Sequence, residues 1–466
     1  MGKSKANSLG AKTWSSIVIF GLVGQIAWVL ENMYFNIFMD RTVTRDPVAI
    51  WVMVAASAVV ATLFTLLAGI FSDKRGRRKK LISIGYIIWG VTVMIFAAIS
   101  VENTMKLFKM EQSKAIGFTV AIIVIMDCVM SALGSTANDA AFNAWITDIT
   151  DETNRGSTDA VLAIMPLLAT GVIFGAFDWM TQDTWRYLDG TEGTAWKEGA
   201  TLVANGNWVM FFLIIGGLVS LAGVIGLFLV KDSKDLKPNK EISYKDIIYG
   251  FKPSVMKDNK NLYFAYLAAA ISGIANNTFM PYIIIYIERT LGIANYILAI
   301  AIVGGLAAVG SVVLGVLYDK YGRRKFIIPM FITYIAGAVL TVFASPISFK
   351  NVSTPLWSFA ITGFLLMFAT LGLSSIIAAS IRDWTPVDKV GLFQGVRLSF
   401  MVLIPMVIGP IFTVIITRLG TPAGVDQFGE PLYNYPPQMF ALAAAVQLVN
   451  LPIILKLRKA LKENLM

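Results

Sequence analysis

Long apolar runs, separated by short polar and basic segments, dominate the pattern along the chain. A helix that crosses the hydrocarbon core of a bilayer needs about 20 apolar residues. Runs of that length fall at 14–39, 47–71, 80–100, 115–149, 156–180, 206–230, 261–287, 295–317, 325–345, 354–381, 389–417 and 437–456. The pattern predicts an all-α membrane protein with twelve transmembrane helices, numbered here as spans 1 to 12.

A polar, Lys-rich segment at 231–260 separates span 6 from span 7. Such a break between periodic segments is typical of a linker. The chain is therefore predicted to consist of an N-terminal six-helix bundle at 1–230, a cytoplasmic linker at 231–260 and a C-terminal six-helix bundle at 261–466.

The basic residues are unequally divided between the two sides of the predicted bilayer. Of 39 Lys and Arg residues, 28 lie in segments on the side of the N-terminus, 10 lie on the opposite side, and Arg397 lies within a span. Because Lys and Arg are retained on the cytoplasmic side, both termini are predicted to be cytoplasmic. The expected location is the cell membrane, as a multi-pass protein.

Composition excludes several classes of function. The chain is 56% hydrophobic and 15% charged, whereas a soluble domain has about 25% charged residues. The net charge of +10 comes from short basic clusters, so no nucleic-acid partner is expected. With no His and one Cys, Cys128, the sequence predicts no metal site and no cofactor. We expect a monomer whose partners are the bilayer and a small solute, and no enzymatic activity.

One loop sequence occurs twice, 246 residues apart, after spans 2 and 8. Each copy reads Gly-x3-Asp-x2-Gly-Arg-Arg-Lys. The first glycine of each copy is predicted to allow close helix approach, and the second a tight turn. The aspartate can accept hydrogen bonds from an arginine or a helix N-terminus. The matching residues are Gly69, Asp73, Gly76 and Arg77 in the first copy, and Gly315, Asp319, Gly322 and Arg323 in the second.

This repeated loop resembles the signature of the major facilitator superfamily, and the resemblance extends to twelve spans and a central linker. It implies the major facilitator fold, with two pseudo-symmetric bundles and alternating access. It also implies that Asp73 with Arg77, and Asp319 with Arg323, latch the inner face in one of the two states. These residues would then control gating and would not bind solute.

Spans 1 and 4 resemble those of the glycoside–pentoside–hexuronide:cation symporters, which include melibiose permease. The similar segments run from Glu31 to Asp40 and from Asn138 to Asp148. In that family an aspartate shortly before an aromatic residue of helix 4 contacts sugar, and Asp139 occupies this position. Span 2 lacks the acidic residues that bind the family's coupling cation, so H+ is favoured and Na+ is the alternative.

Polar residues within spans are the candidate site residues, because an ionisable group costs roughly 3 kcal/mol at the centre of a membrane helix. In span 1 they recur at steps of three and four, on one predicted helical face. Their alternative role is interhelical packing. The residues predicted to bind solute in one central cavity are Gln25, Trp28, Asn32, Asp139, Asn143, Asn276, Asn277, Gln394 and Arg397.

Coupling is assigned to two further acids, Glu31 and Asp127. Glu31 has no basic residue at its depth in spans 1 to 6, which favours a role in carrying a proton. Asp127 is either a second coupling acid or a helix-packing acid. Arg397 is predicted to pair with Asp139 or Asp127, as a structural or a mechanistic ion pair.

The sequence thus predicts a secondary transporter that carries a sugar or glycoside together with a cation. A uniporter, or a carrier of another small polar solute on the same fold, is the first alternative. A non-transporting membrane receptor is the alternative from a different class.

Overall fold

The structure is a computed structural model of the 466-residue chain. It describes residues 9–150, 154–193, 201–232, 238, 244–293, 296–344, 354–386, 390–420, 422, 424–425 and 431–463.

The predicted helical membrane fold is confirmed. Within the described ranges, eleven helices are long and apolar enough to cross a membrane, and a bent pair of helices makes a twelfth if it counts as one span. Spans 1 to 11 are Ala11–Thr42, Pro47–Arg75, Lys79–Ala98, Gln112–Ile149, Ser157–Met180, Trp208–Leu229, Lys260–Thr290, Tyr296–Tyr318, Arg323–Val342, Leu356–Trp384 and Leu392–Leu419. Span 12 is the pair Gln438–Val449 and Leu451–Leu461, which meet at 48°.

Short elements connect the spans. They are the helices Val101–Phe108 and Pro253–Asp258, the 3-10 helix Tyr244–Phe251, the strands β1 (Thr184–Arg186), β2 (Glu192–Gly193) and β3 (Thr201–Ala204), and the strands β4 (Gly424–Val425) and β5 (Pro431–Leu432). The first three strands form a sheet in the order β2-β1-β3, and β4 pairs with β5. β1 pairs with β2 and β4 with β5 in antiparallel fashion, with Trp185 opposite Gly193 and Val425 opposite Pro431.

Contacts divide the chain into two compact units. Unit 1 comprises 1–44, 56–183 and 204–246, and unit 2 comprises 45–55, 184–203 and 247–466. The first turns of span 2 therefore belong to unit 2. There the indole nitrogen of Trp51 donates to the carbonyl of Val407 in span 11 over 3.0 Å.

In unit 1, glycines bring spans 3 and 6 into backbone contact. A Cβ built on Gly90 would lie 2.3 Å from the carbonyl oxygen of Gly216, and one on Gly223 would lie 2.6 Å from that of Ser83. Small residues permit such close packing between membrane helices. Span 1 packs against spans 5 and 6 in the same unit.

In unit 2, span 7 packs against spans 10, 11 and 12. The buried cluster at its centre includes Tyr266, Phe331 and Ile376. The bend in span 12 is fixed to span 7 because the amide nitrogen of Asn450 donates to Ser272 Oγ and to the carbonyl oxygen of Ala268, both at 3.0 Å.

Five spans contain π-helical turns in the part of the chain that the structure describes. These turns are Leu30–Tyr34, Ser135–Phe142, Ile173–Phe177, Tyr286–Thr290 and Ser399–Leu403. A π turn inserts a residue into the helical spacing and often occurs at a functional site. The first two contain Glu31 and Asp139, which are two of the three acids assigned to coupling or solute binding.

Candidate functional site

Glu31 is buried in the π turn of span 1 and is joined to span 4. Its side chain is 8% exposed. One carboxylate oxygen accepts a 2.6 Å hydrogen bond from the hydroxyl of Ser131. Within the described residues, the other oxygen, Oε2, has no hydrogen-bond partner. A carboxyl group that is buried in a membrane helix and only half satisfied is a candidate for proton or solute binding.

Span 4 carries a row of polar residues at steps of four: Asp127, Ser131, Ser135 and Asp139. Asp127 is 2% exposed and lies close to Ser57 of span 2. Both aspartates are near enough to act electrostatically on Glu31. We call Glu31, Asp127 and Asp139 the acidic cluster.

Among the described residues of unit 1, no cation acts on the acidic cluster. Three carboxylates in a low-dielectric interior repel one another and lack the hydration that would stabilise their charges. Glu31 and Asp127 are buried and Asp139 is half-buried, so the cluster needs a proton or another cation to limit the cost of its charges.

Sequence reasoning did not identify Ser131 or Ser57 as members of this site. Ser131 could have been found by continuing the step of four from Asp139 and Ser135 back towards Asp127. Ser57 gives no such signal, since a serine in an apolar helix usually bonds to its own backbone.

A row of aromatic rings begins beside Asp139. The carboxyl group lies near the indole of Trp28 and the hydroxyl of Ser135. The rings of Trp28 and Trp89 are 5.5 Å apart, and Trp89 packs edge-on against Tyr86 at 5.3 Å. An acceptor beside an aromatic surface suits a polar ring-shaped ligand, because the ring face and the polar groups are then contacted together.

Several predicted solute-binding amides are hydrogen bonded to their own helices. The side-chain nitrogens of Asn32, Asn143 and Asn277 each donate to the carbonyl four residues earlier. The π turn also disturbs the single face predicted for span 1, since Asn32 is exposed whereas Glu31 and Asn36 are buried. Gln25 is half-buried in the same span.

The candidate residues of unit 2 form two separate groups. The amide oxygen of Asn276 accepts from Tyr334 at 3.0 Å and from Thr370 at 3.4 Å. Gln394 and Arg397 instead line a cavity of 220 Å³. There the guanidinium of Arg397 donates to the side-chain oxygen of Gln394 over 3.4 Å.

Two predictions join residues of different units, namely the common central cavity and the pairing of Asp139 with Arg397. Asp139 belongs to unit 1 and Arg397 to unit 2. Both stay predictions.

The first copy of the repeated loop is organised around Arg78. Its guanidinium donates to Asp73 at 2.6 Å, to Asp148 at 2.9 Å and to the hydroxyl of Ser72 at 2.6 Å. Burial would lower the pKa of Arg78, but the hydrogen bonds to Asp148 and Asp73 raise it by more, so the net shift is upward. The backbone nitrogens of Arg78 and Lys79 both donate to Asp232 at 2.8 Å.

This network corrects the predicted pairing of Asp73 with Arg77. Arg77 is exposed, and its neighbour Arg78 is the partner of Asp73. The reason is geometrical: Arg78 lies at the start of span 3, where it faces the ends of spans 2 and 4. Sequence spacing could not distinguish two consecutive arginines.

The second copy is organised differently. Arg323 forms an ion pair with Asp383, at the end of span 10. The side chain of Asp319 lies outside the described residues, and its predicted pairing with Arg323 stays a prediction.

The structure confirms one of the two predictions made for the glycines of the repeat. Gly76 and Gly322 have φ values of 57° and 83°, which confirms the predicted tight turns because a left-handed backbone favours glycine. The close helix approach predicted at Gly69 and Gly315 is wrong. A Cβ built on either residue meets no atom of the described chain within 4 Å, since these faces of spans 2 and 8 lie open.

Comparison with known proteins agrees with this architecture. The family model for the Major Facilitator Superfamily matches residues 13–348 and also 265–464. No curated protein sequence matches the chain.

Solved structures share the fold at low sequence identity. A point mutant of the nucleoside transporter NupG has a TM-score of 0.65 and 12% identity, over 95% of this chain and 99% of NupG. A bacterial homolog of the human lysosomal transporter Spinster, in an inward-facing and occupied conformation, has a TM-score of 0.57 and 14% identity, over 98% of this chain and 96% of that one.

Proposed function

The chain belongs to the Major Facilitator Superfamily, and from this premise we propose that it couples the transport of a sugar or glycoside to H+. Membership of that superfamily makes it a multi-pass membrane transporter and not an enzyme. The proposed mechanism is symport by alternating access, with cytoplasmic termini and a monomer in the cell membrane.

The observation that carries the proposal is the half-satisfied carboxyl group of Glu31 within the acidic cluster. Because no described cation of unit 1 neutralises the buried carboxyl groups of Glu31 and Asp127, a bound proton is the proposed counter-charge. Glu31 is the proposed proton carrier, and Asp127 is the neighbouring acid that makes simultaneous ionisation costly. The apolar run of span 2, 47–71, has no acidic residue, which favours H+ over Na+ as the proposed coupling cation.

The proposed solute site is built around Asp139 and Trp28. A carboxylate accepts strong hydrogen bonds from hydroxyl groups, and an indole offers a flat apolar surface to a sugar ring. The resemblance of span 4 to melibiose permease supports the same role for Asp139. The remaining proposed solute ligands are Gln25, Asn32, Asn143, Asn276, Asn277, Gln394 and Arg397.

The repeated loops are the proposed gating elements. In the first copy, Arg78 ties Asp73 at the end of span 2 to Asp148 near the end of span 4. Because one guanidinium holds both carboxylates, a movement of span 2 relative to span 4 would act on both ion pairs. The glycines and the second-copy residues Asp319 and Arg323 are assigned the same gating role.

Uptake into proteoliposomes tests the proposal. Radiolabelled sugars, glycosides and nucleosides should be offered under an inward proton gradient, an inward Na+ gradient and no gradient. We expect accumulation of a sugar or glycoside with the proton gradient alone. Accumulation driven only by Na+ would refute H+ coupling. Equilibration without accumulation under either gradient would identify a uniporter, and uptake confined to nucleosides would refute the sugar assignment.

A further inference from the structure

A groove in unit 1 lies at the end of spans 2 and 3 where the repeated loop joins them. It has a volume of 650 Å³. Three cations, Arg75, Arg77 and Lys80, line its end at the loop. All three are exposed. Its charge therefore suits an anionic ligand.

The rest of the groove is apolar and follows the length of span 3. Lys80, Ile84 and Ile88 recur every four residues, so they form one stripe along the helix. Ile84 and Ile88 are each 45% exposed. Leu133 of span 4 lines the same groove. From Lys80 to Ile88 the stripe is about 12 Å long at 1.5 Å per residue, and it passes from basic to apolar as a lipid passes from headgroup to acyl chain.

The cations of the groove are not engaged by the loop's own acids. Asp73 and Asp148 are bound by Arg78. In the described part of the chain, Arg77 and Lys80 form no ion pair, and Arg75 lies over the ring of Phe71 at 4.4 Å. In the second copy of the loop, by contrast, the counterpart of Arg77 is Arg323, which is paired with Asp383.

We propose that this groove binds an anionic phospholipid. The phosphate of the lipid contacts Arg77 and Lys80, with Arg75 nearby. One acyl chain of the lipid lies along Ile84, Ile88 and Leu133. Basic pockets beside membrane helices attract anionic headgroups. A free phosphate would satisfy the cations but would leave the apolar stripe without a ligand. This site is independent of the proposed solute and coupling sites.

Native mass spectrometry of the full-length protein tests the proposal. The protein is mixed with equal amounts of phosphatidylglycerol and phosphatidylcholine, and retained lipid is counted. We expect one tightly held phosphatidylglycerol in the wild type. The double variant Arg77→Gln and Lys80→Gln should retain about tenfold less of it.

The matched control removes two positive charges elsewhere on the same side of the predicted bilayer. Lys257 and Lys260 are exposed and line a separate cavity without an isoleucine stripe. The double variant Lys257→Gln and Lys260→Gln should retain phosphatidylglycerol as the wild type does. Equal loss in both double variants, or equal retention of phosphatidylcholine by the wild type, would overturn the proposal.

Two further arms distinguish a lipid from a free anion. Leu133→Trp fills the apolar part of the groove and leaves the cations in place, so it should also lose phosphatidylglycerol. Inorganic phosphate in large excess should not displace the lipid from the wild type. Undiminished lipid binding by Leu133→Trp, or displacement by phosphate, would refute the lipid site. If the double variant does not fold, the single variant Lys80→Gln takes its place. Lys80 is exposed, and this variant should retain less phosphatidylglycerol than the wild type.

Discussion

The hydroxyl of Ser131 donates a 2.6 Å hydrogen bond to the carboxylate of Glu31 and so joins span 4 to span 1. The bond leaves the second carboxylate oxygen of Glu31 without a partner in the described structure. The carboxylate of Glu31 thus has a fixed position and one oxygen that is available to accept. A residue that binds and releases a proton requires both. Since Ser131 and Asp127 are one helical turn apart, the same contact brings Glu31 close to a second acid.

Glu31→Gln tests the role of this carboxyl group. Glutamine keeps an oxygen that can accept from Ser131, so the variant should fold. It cannot exchange a proton, so proton-driven accumulation should be abolished while exchange of solute across the membrane is retained. The measurements are uphill uptake and counterflow in proteoliposomes.

The control for this experiment is Glu102→Gln. Glu102 is exposed outside the spans, and the hydrogen bond from Lys106 lowers its pKa, so it remains ionised at neutral pH. Its replacement should leave accumulation unchanged. If Glu31→Gln still accumulates solute against its gradient, proton carriage must be reassigned to Asp127 or Asp139, or coupling abandoned.

Trp28→Ala tests the aromatic surface beside Asp139. Loss of the indole should raise the dissociation constant of the solute by about tenfold, which corresponds to about 1.4 kcal/mol. Trp179→Ala is the matched control, because Trp179 is 62% exposed. Binding measured by isothermal titration calorimetry should be unchanged in the control. Equal affinities in the two variants would contradict the proposed solute site.

The consecutive arginines Arg77 and Arg78 offer a test of the ion pairs that Arg78 forms with Asp73 and Asp148. Arg78→Gln leaves Asp73 and Asp148 without their shared cation, so we expect it to lower the free energy of unfolding by about 2 kcal/mol. Arg77→Gln should change it by less than about 0.5 kcal/mol, because Arg77 is exposed and unpaired in the described structure. Thermal unfolding in detergent compares them. A larger loss in Arg77→Gln would indicate that the assigned partner is incorrect.

Asp73→Asn separates gating from binding. The substitution weakens the ion pair with Arg78 at the end of span 2, and Asp73 is not one of the proposed solute ligands. We expect the transport rate to fall by about fivefold through a shift in the conformational equilibrium. The dissociation constant of the solute should stay within a few-fold. Asp258→Asn, at an exposed position beside span 7, is the control for loss of one charge, and complete loss of binding in folded Asp73→Asn would exclude a pure gating role.

The spans and the fold class were determined by the sequence alone. The length of an apolar run reports directly on whether a helix crosses a bilayer, and this property needs no knowledge of neighbouring helices. The repeated Gly-x3-Asp-x2-Gly loop also predicted its own tight turns. A left-handed turn at Gly76 or Gly322 depends on the local backbone, and the structure has one at each.

Only the tertiary structure decided which side chains form ion pairs and hydrogen bonds with one another. Arg77 and Arg78 are adjacent in sequence, yet only Arg78 points to the carboxylates of Asp73 and Asp148. Ser131 became a site residue because a π turn and helix packing place it 2.6 Å from Glu31. Hydrogen bonds require distances near 3 Å and a suitable angle. Such precision depends on how helices rotate and pack against one another, which a periodic pattern of apolar residues does not specify.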